Sequence, residues 1–218
     1  MADPTSVHPE SRGVRKERTR RAILDAALTL SGETSLVALS LRQVAKEVGI
    51  VPTAFYRHFD SIEALGLALV DESFVSLRAM LRDVRGGDPA LTDVVDRSVL
   101  ILDDHVHRQR AHFRFIARER AAGPHAVREA IRREIELCEH ELATDLARLP
   151  GTVTWSAEDL RAVSALAVTA MVATAEAIMD VPDGPDAERL VAEKRIAETA
   201  RVQLRMLLVG ARNWRSSS

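Results

Sequence analysis

Cysteine is nearly missing from this chain of 218 residues, with Cys138 the one example. A lone thiol excludes an intrachain disulfide and a cysteine zinc cluster, and fits a reducing compartment. Aromatic residues are scarce at 4%, and Ala, Leu, Val, Arg and Glu dominate, which favours helices over sheets. An all-α protein is expected. The N-terminus lacks the apolar stretch of a signal peptide, and no apolar run is read as approaching the roughly 20 residues that span a bilayer, so a soluble, cytoplasmic protein is expected. Net charge is almost absent at −2, yet Arg12, Arg15, Lys16, Arg18, Arg20 and Arg21 crowd the first 21 residues against Asp3, Glu10 and Glu17. A local basic cluster suits a polyanion contact at one end of the molecule; a solvated basic tail is the plainer alternative.

Enzymatic signatures are missing as well. The chain has no P-loop, no G-x-G-x-x-G and no G-x-S-x-G, and "CEHEL" at 138–142 has no histidine four residues after His140. No catalytic residue is assigned. "DDHVHRQRAH" offers Asp103, Asp104, His105, His107 and His112, but only Asp103 and His107 are spaced to share a helix face, too few for a metal site. Neither metal nor cofactor is expected.

What the chain does contain is helix punctuation. Residues 1–13 are polar, with two prolines, and read as a disordered tail. From Val14, the spacing of Ile23, Ala26, Ala27 and Leu30 predicts a first helix ending near Gly32. Ser40 caps a second, in which Leu41, Val44, Ala45 and Val48 form one stripe and Gly49 is the stop. After "GIV", Pro52 opens a third that runs to His58, with Phe55 and Phe59 inward. Two short helices across a glycine turn make a helix-turn-helix, assigned to residues 14–60. "DSIE" reads as a capping box from Asp60 to Glu63, opening a linker helix at 61–84 that begins the body, 61–218. Asp88 is expected to cap the next helix, and further helices are expected at about 90–109, 111–121, 125–148, 157–180 (Ser156 cap) and 187–212 (Asp186 cap).

The second helix of such a motif enters the major groove of DNA. With the phenylalanines turned inward, Thr53, Tyr56, Arg57 and His58 fall on the outer face, where hydroxyl, phenol, guanidinium and imidazole can reach bases and phosphates. On the preceding helix Arg42 lies one turn before buried Ala45 and points out, while Lys46 reads as an ordinary solvated charge.

In these residues the chain resembles a known family. "SLRQVAKEVGIVPTAFYRHFDSIEAL" looks like the DNA-binding domain of TetR-family bacterial repressors. "VPTAFYRHFDSIEALGLALVDES" and "FRFIARERAAGPHAVREAIRREI" at 113–135 are similar to the subgroup that represses unsaturated fatty-acid synthesis and desaturase genes. The resemblance implies a nine-helix, Ω-shaped homodimer that binds double-stranded operator DNA. It carries the family's DNA contacts onto Ser40, Arg42, Pro52, Thr53, Tyr56, Arg57 and His58, and onto the basic run before Ile23, here Arg15, Lys16 and Arg20. Ile62 departs from the basic residue often found there, leaving Ser61 as the obvious phosphate donor.

Two features of the body bear on assembly and ligand. The segment at 157–180 is rich in alanine, which lets helices approach closely, and 187–212 presents Leu204, Leu207 and Leu208 on one stripe; together they suit a four-helix dimer seam, or intramolecular packing alone. Leu102, Phe113, Phe115, Ile116, Met171, Val172 and Met179 could line an apolar cavity, though each also suits plain core. The resemblance makes a long-chain acyl-CoA or fatty acid the expected effector, with Arg114, Arg118 and Arg120 either meeting its phosphates or solvated. A drug-like hydrophobic effector, with efflux or detoxification genes as targets, is the alternative.

Overall fold

The computed structural model describes residues 12–85, 91–148, 152, 155–182 and 185–215. The expected tail as far as residue 11, the Asp88 cap and parts of the linkers at 149–154 and 183–184 lie outside the described residues. Among these, all regular structure is helical: α1 Arg12–Ser31, α2 Leu41–Val48, α3 Pro52–Phe55, α4 Ile62–Arg85, α5 Leu91–Arg108, α6 Arg110–Ala122, α7 His125–Leu146, α8 Ala157–Met179 and α9 Asp186–Asn213.

Three expected helix starts move. At α4 the cap is Ser61, whose hydroxyl oxygen accepts from Ala64 N–H at 3.0 Å, one residue later than the Asp60 of the expected box. At α9, Pro185 holds the cap position and Asp186 is already in the first turn, where it pairs with Arg189 at 3.0 Å. The first helix begins at Arg12, two residues before the expected Val14.

One hydrophobic core joins the helix-turn-helix to the body. Ile23, Leu36, Val44, Phe55 and Phe59 pack with Leu65, Leu69 and Phe74 of α4, Phe115 of α6, and Val127 and Ile131 of α7. The boundary near residue 60 is therefore a change of element, not a gap in packing. Gly66 permits the close approach at this junction, since a Cβ there would stand 2.5 Å from Leu36 Cδ1 and 2.9 Å from Val127 Cγ2. A second cluster gathers Leu102 and Val106 of α5 with Ala175 and Ile178 of α8. A third holds Val95 and Val99 of α5 against Ala200 and Leu204 of α9.

The α8 helix corrects the membrane expectation. It is long and apolar enough to cross a bilayer by length and composition. Alanine supplies much of that character, and the helix packs between α7 and α9, with the hydroxyls of Ser164 and Thr174 donating back to the carbonyls of Leu160 and Ala170. Its inner face is covered by the neighbouring helices, with Ser164, Thr174, Ala175 and Ile178 buried.

Candidate nucleic-acid interface

Each bend of the 40–59 segment has a local chemical cause. Ser40 and Gln43 form a reciprocal box: Gln43 N–H donates to Ser40 Oγ at 3.2 Å, and Ser40 N–H donates to Gln43 Oε1 at 2.8 Å. Gly49 ends α2 at φ 72°, a left-handed conformation costly to a residue with a Cβ. Its N–H reaches Lys46 O at 3.1 Å, and Ile50 N–H reaches Ala45 O at 2.9 Å. Pro52 then sits in the first turn of α3, where its missing N–H costs no helix bond. The helix proper stops at Phe55, short of the expected His58, but its spiral continues as turns: Arg57 N–H donates to Ala54 O at 3.3 Å and His58 N–H to Phe55 O at 2.8 Å.

Phe55 and Phe59 anchor this piece, at 0% and 4% exposure with ring centroids 5.9 Å apart. Their burial forces the intervening residues outward. Arg42, Lys46, Pro52, Thr53, Tyr56 and Arg57 are all exposed. So are Arg15 and Lys16 on α1. Val51 is also exposed, at 64%, and sequence reasoning passed it over as a turn residue. Helical spacing hides it, since Val51 stands four residues before buried Phe55; as the extended residue that precedes α3 it is exposed instead, where an apolar side chain suits the methyl group of a thymine.

Three of the expected contacts serve the protein itself. Ser40 spends its hydroxyl proton on Gln43 Oε1 at 2.7 Å. Arg20 lays its guanidinium over the Phe59 ring at 4.3 Å and donates to the His58 carbonyl at 3.2 Å, which ties α1 to the end of the reading segment. His58 is half-buried, and its Nδ1 lies buried without a hydrogen-bond partner. Burial, with Lys16 and Arg20 nearby, pulls the imidazole below its usual pKa. Its neutral form is therefore favoured, with Nδ1 turned into the fold.

The expected effector residues divide between two cores. Leu102, Phe113, Met171 and Met179 come together in the α5–α8 cluster. Phe115 and Ile116 instead pack in the core shared with the helix-turn-helix, because α6 turns them to its other side. Val172 is half-buried and outside these clusters. Arg120 pairs with Glu176 at 2.6 Å, and both Arg114 and Arg120 are exposed. A groove of about 640 Å³ lies between α5 and α9, but its walls include Asp96, Glu193, Glu198, Arg201 and Arg205, a charged lining unlike an acyl tunnel. There His107 bridges the helices, with Nδ1 2.7 Å from the Asp103 carbonyl and Nε2 3.1 Å from Glu193 Oε1. Among the described residues no group of three potential metal ligands converges.

Residues 23–69 match the family model described as bacterial regulatory proteins, tetR family. Solved structures share the fold at low identity. A transcriptional regulator of Rhodococcus sp. RHA1 is 21% identical with TM-score 0.61, covering 92% of this chain and 99% of that one. A TetR-like regulator from the same organism is 14% identical with TM-score 0.65, over 88% and 96%. A gamma-butyrolactone receptor, described as ArpA-like, is 18% identical with TM-score 0.57, over 87% and 99%. Residues 23–69 are thus similar to the tetR-family model, and the chain as a whole shares its fold with solved transcriptional regulators.

Proposed function

We propose that the protein is a homodimeric repressor whose two heads read successive major grooves of an operator, and whose body answers an apolar effector. The observation that carries the reading is a pair of unlike exposed surfaces. The head exposes Arg42, Thr53, Tyr56 and Arg57, which suits a polyanion. The helices α8 and α9 expose Leu166, Val202, Met206 and Val209, which suits a second copy of the same pair. This seam differs from the expected one: Leu204 is buried against α5 and Leu208 packs beside it, so the outward stripe is the neighbouring one. Alanines 162 and 173 lie exposed along the same side of α8, where small side chains admit close helix contact.

For the effector, the α5–α8 cluster offers two methionines, Met171 and Met179, beside Phe113. Flexible thioethers repack around a guest more readily than branched side chains. Phe113 opens α6, and Phe115 on the same helix is fully buried in the core shared with the head. A guest that displaced Phe113 would move α6 and with it the support of the reading helix, which makes ligand binding a shift between two head spacings. A long-chain acyl-CoA is the guest we favour, with fatty-acid desaturation or lipid genes as targets. A drug-like hydrophobic molecule is the second reading, favoured by the pairing of Arg120 with Glu176, which leaves fewer cations for a nucleotide phosphate. Calorimetry with acyl-CoAs of graded length decides. Each buried methylene contributes about 0.8 kcal/mol, so affinity should climb steeply with chain length; no binding at any length would leave the drug-like reading.

A further inference from the structure

Helix α6 touches both halves of the molecule. Phe113 belongs to the body cluster, whereas Phe115 and Glu119 are fully buried against the head. Among the described residues, Glu119 is the one charged side chain buried outright. Burial raises its pKa, against the opposing pull of its hydrogen bonds. A carboxylate in such a place needs donors, and both of its donors come from the loop between α1 and α2. Leu36 N–H donates to Oε1 at 3.0 Å, and the Ser35 hydroxyl lies 3.2 Å from Oε2 and 3.1 Å from the Ala122 carbonyl. Leu36 itself is 2% exposed, with its side chain seated over Gly66 and Val127.

That loop has no helix of its own to hold it, and it ends at Ser40, the cap of α2. Wherever Leu36 is fixed, α2 and the reading segment follow. We propose that Glu119 is a positioning residue for DNA recognition: its carboxylate, carried by a body helix, fixes the α1–α2 loop and through it the pose of α2 and α3. The proposal rests on the DNA-binding reading above. It makes α6 a lever with Phe113 at the body end and Glu119 at the head end.

The test uses the full-length protein and a duplex enriched from a random pool by the wild type. Affinities of wild type, Glu119→Gln, Glu119→Ala and Ser35→Ala are measured for that duplex and for a scrambled one at the same salt. Exchange of the Leu36 amide and thermal melting are followed alongside. Val99→Ala, in the α5–α9 cluster remote from the head, controls for plain loss of stability. Glu119→Ala should weaken operator binding by about tenfold or more, the loss of a charge-assisted hydrogen bond, leave scrambled DNA unaffected and speed Leu36 exchange. Glu119→Gln, whose amide oxygen still accepts from Leu36 N–H, should stay within about twofold. Val99→Ala should melt earlier yet bind the operator as wild type does. Wild-type operator affinity in Glu119→Ala, or an equal loss in Val99→Ala, overturns the proposal. If Glu119→Ala does not fold, Ser35→Ala decides: a loss of about threefold confined to the operator supports the proposal, and no loss overturns it. A wild type that enriches no duplex removes the DNA-binding reading and this proposal with it.

Discussion

The head and the C-terminal pair of helices are both well-formed helical units, but they turn opposite chemistry to the outside. Around α2 and α3 the phenylalanines go inward and Arg42, Tyr56 and Arg57 go outward. Along α8 and α9, Leu204 and Ile178 go inward, yet Leu166, Val202, Met206 and Val209 remain outside. A polar exposed face is stable alone in water and gains a partner through charge; an apolar exposed face is a standing cost until something covers it. On the proposed reading, the contrast divides the labour of the molecule between an end for nucleic acid and an end for its own copy.

The sharpest way to break the contrast is to charge the apolar end. Val202→Glu with Met206→Glu should convert the dimer to monomer in sedimentation, because an unpaired charge buried in a seam costs several kcal/mol, and operator affinity should fall by about a hundredfold or more since one half-site alone is held. Neutralising the polar end has a smaller effect. Arg42→Ala or Tyr56→Ala should each weaken the operator complex by about 1 to 3 kcal/mol in fluorescence anisotropy while the protein melts as before. Removing Arg15 and Lys16 together should weaken all duplexes alike and lower the slope of log affinity against log salt by about 1 to 2; an unchanged slope would make the arm a solvated one.

The smallest effect is on acid stability. His58 and His112 have folded-state pKa values pulled down, chiefly by burial. Folding therefore favours their neutral forms, and their contribution is complete above about pH 6.5 and is lost as the pH falls toward the folded values. His107 runs the other way. The Asp103 carbonyl, and then Glu193, raise its pKa, so its contribution is present below about pH 6.5 and lost as the pH rises through the raised value. The melting temperature should fall modestly on acidification between about pH 7 and 5, and His107→Gln should steepen the fall. No steepening would mean that the α5–α9 bridge adds nothing.

Local chemistry made the head legible in the sequence. Ser40, Gly49 and Pro52 act through their own backbone neighbours, so spacing alone located the helix-turn-helix. The contacts that Arg20 makes with the His58 carbonyl and the Phe59 ring were not legible, because they join residues 38 or more positions apart. The body was legible as helices and less so as faces. Leu204 and Val202 are two residues apart on α9, and which of them faces α5 is decided by Val95 and Val99, a tertiary fact that periodicity does not contain. Phe115 was assigned to an effector cavity for the same reason, since both of its possible neighbours are apolar cores. Glu119 stood out by nothing in "FIARERAAG", where every charge suits a solvated face.

The most direct test of the whole account is selection of binding sites from a random duplex pool by the full-length protein, followed by sizing of the complex. The account predicts an enriched inverted repeat whose half-sites are centred about 34 to 36 Å apart, or a multiple of that, bound by a dimer through its two heads. Recovery of no preferred sequence, or of a single unrepeated half-site bound by a monomer, would contradict it.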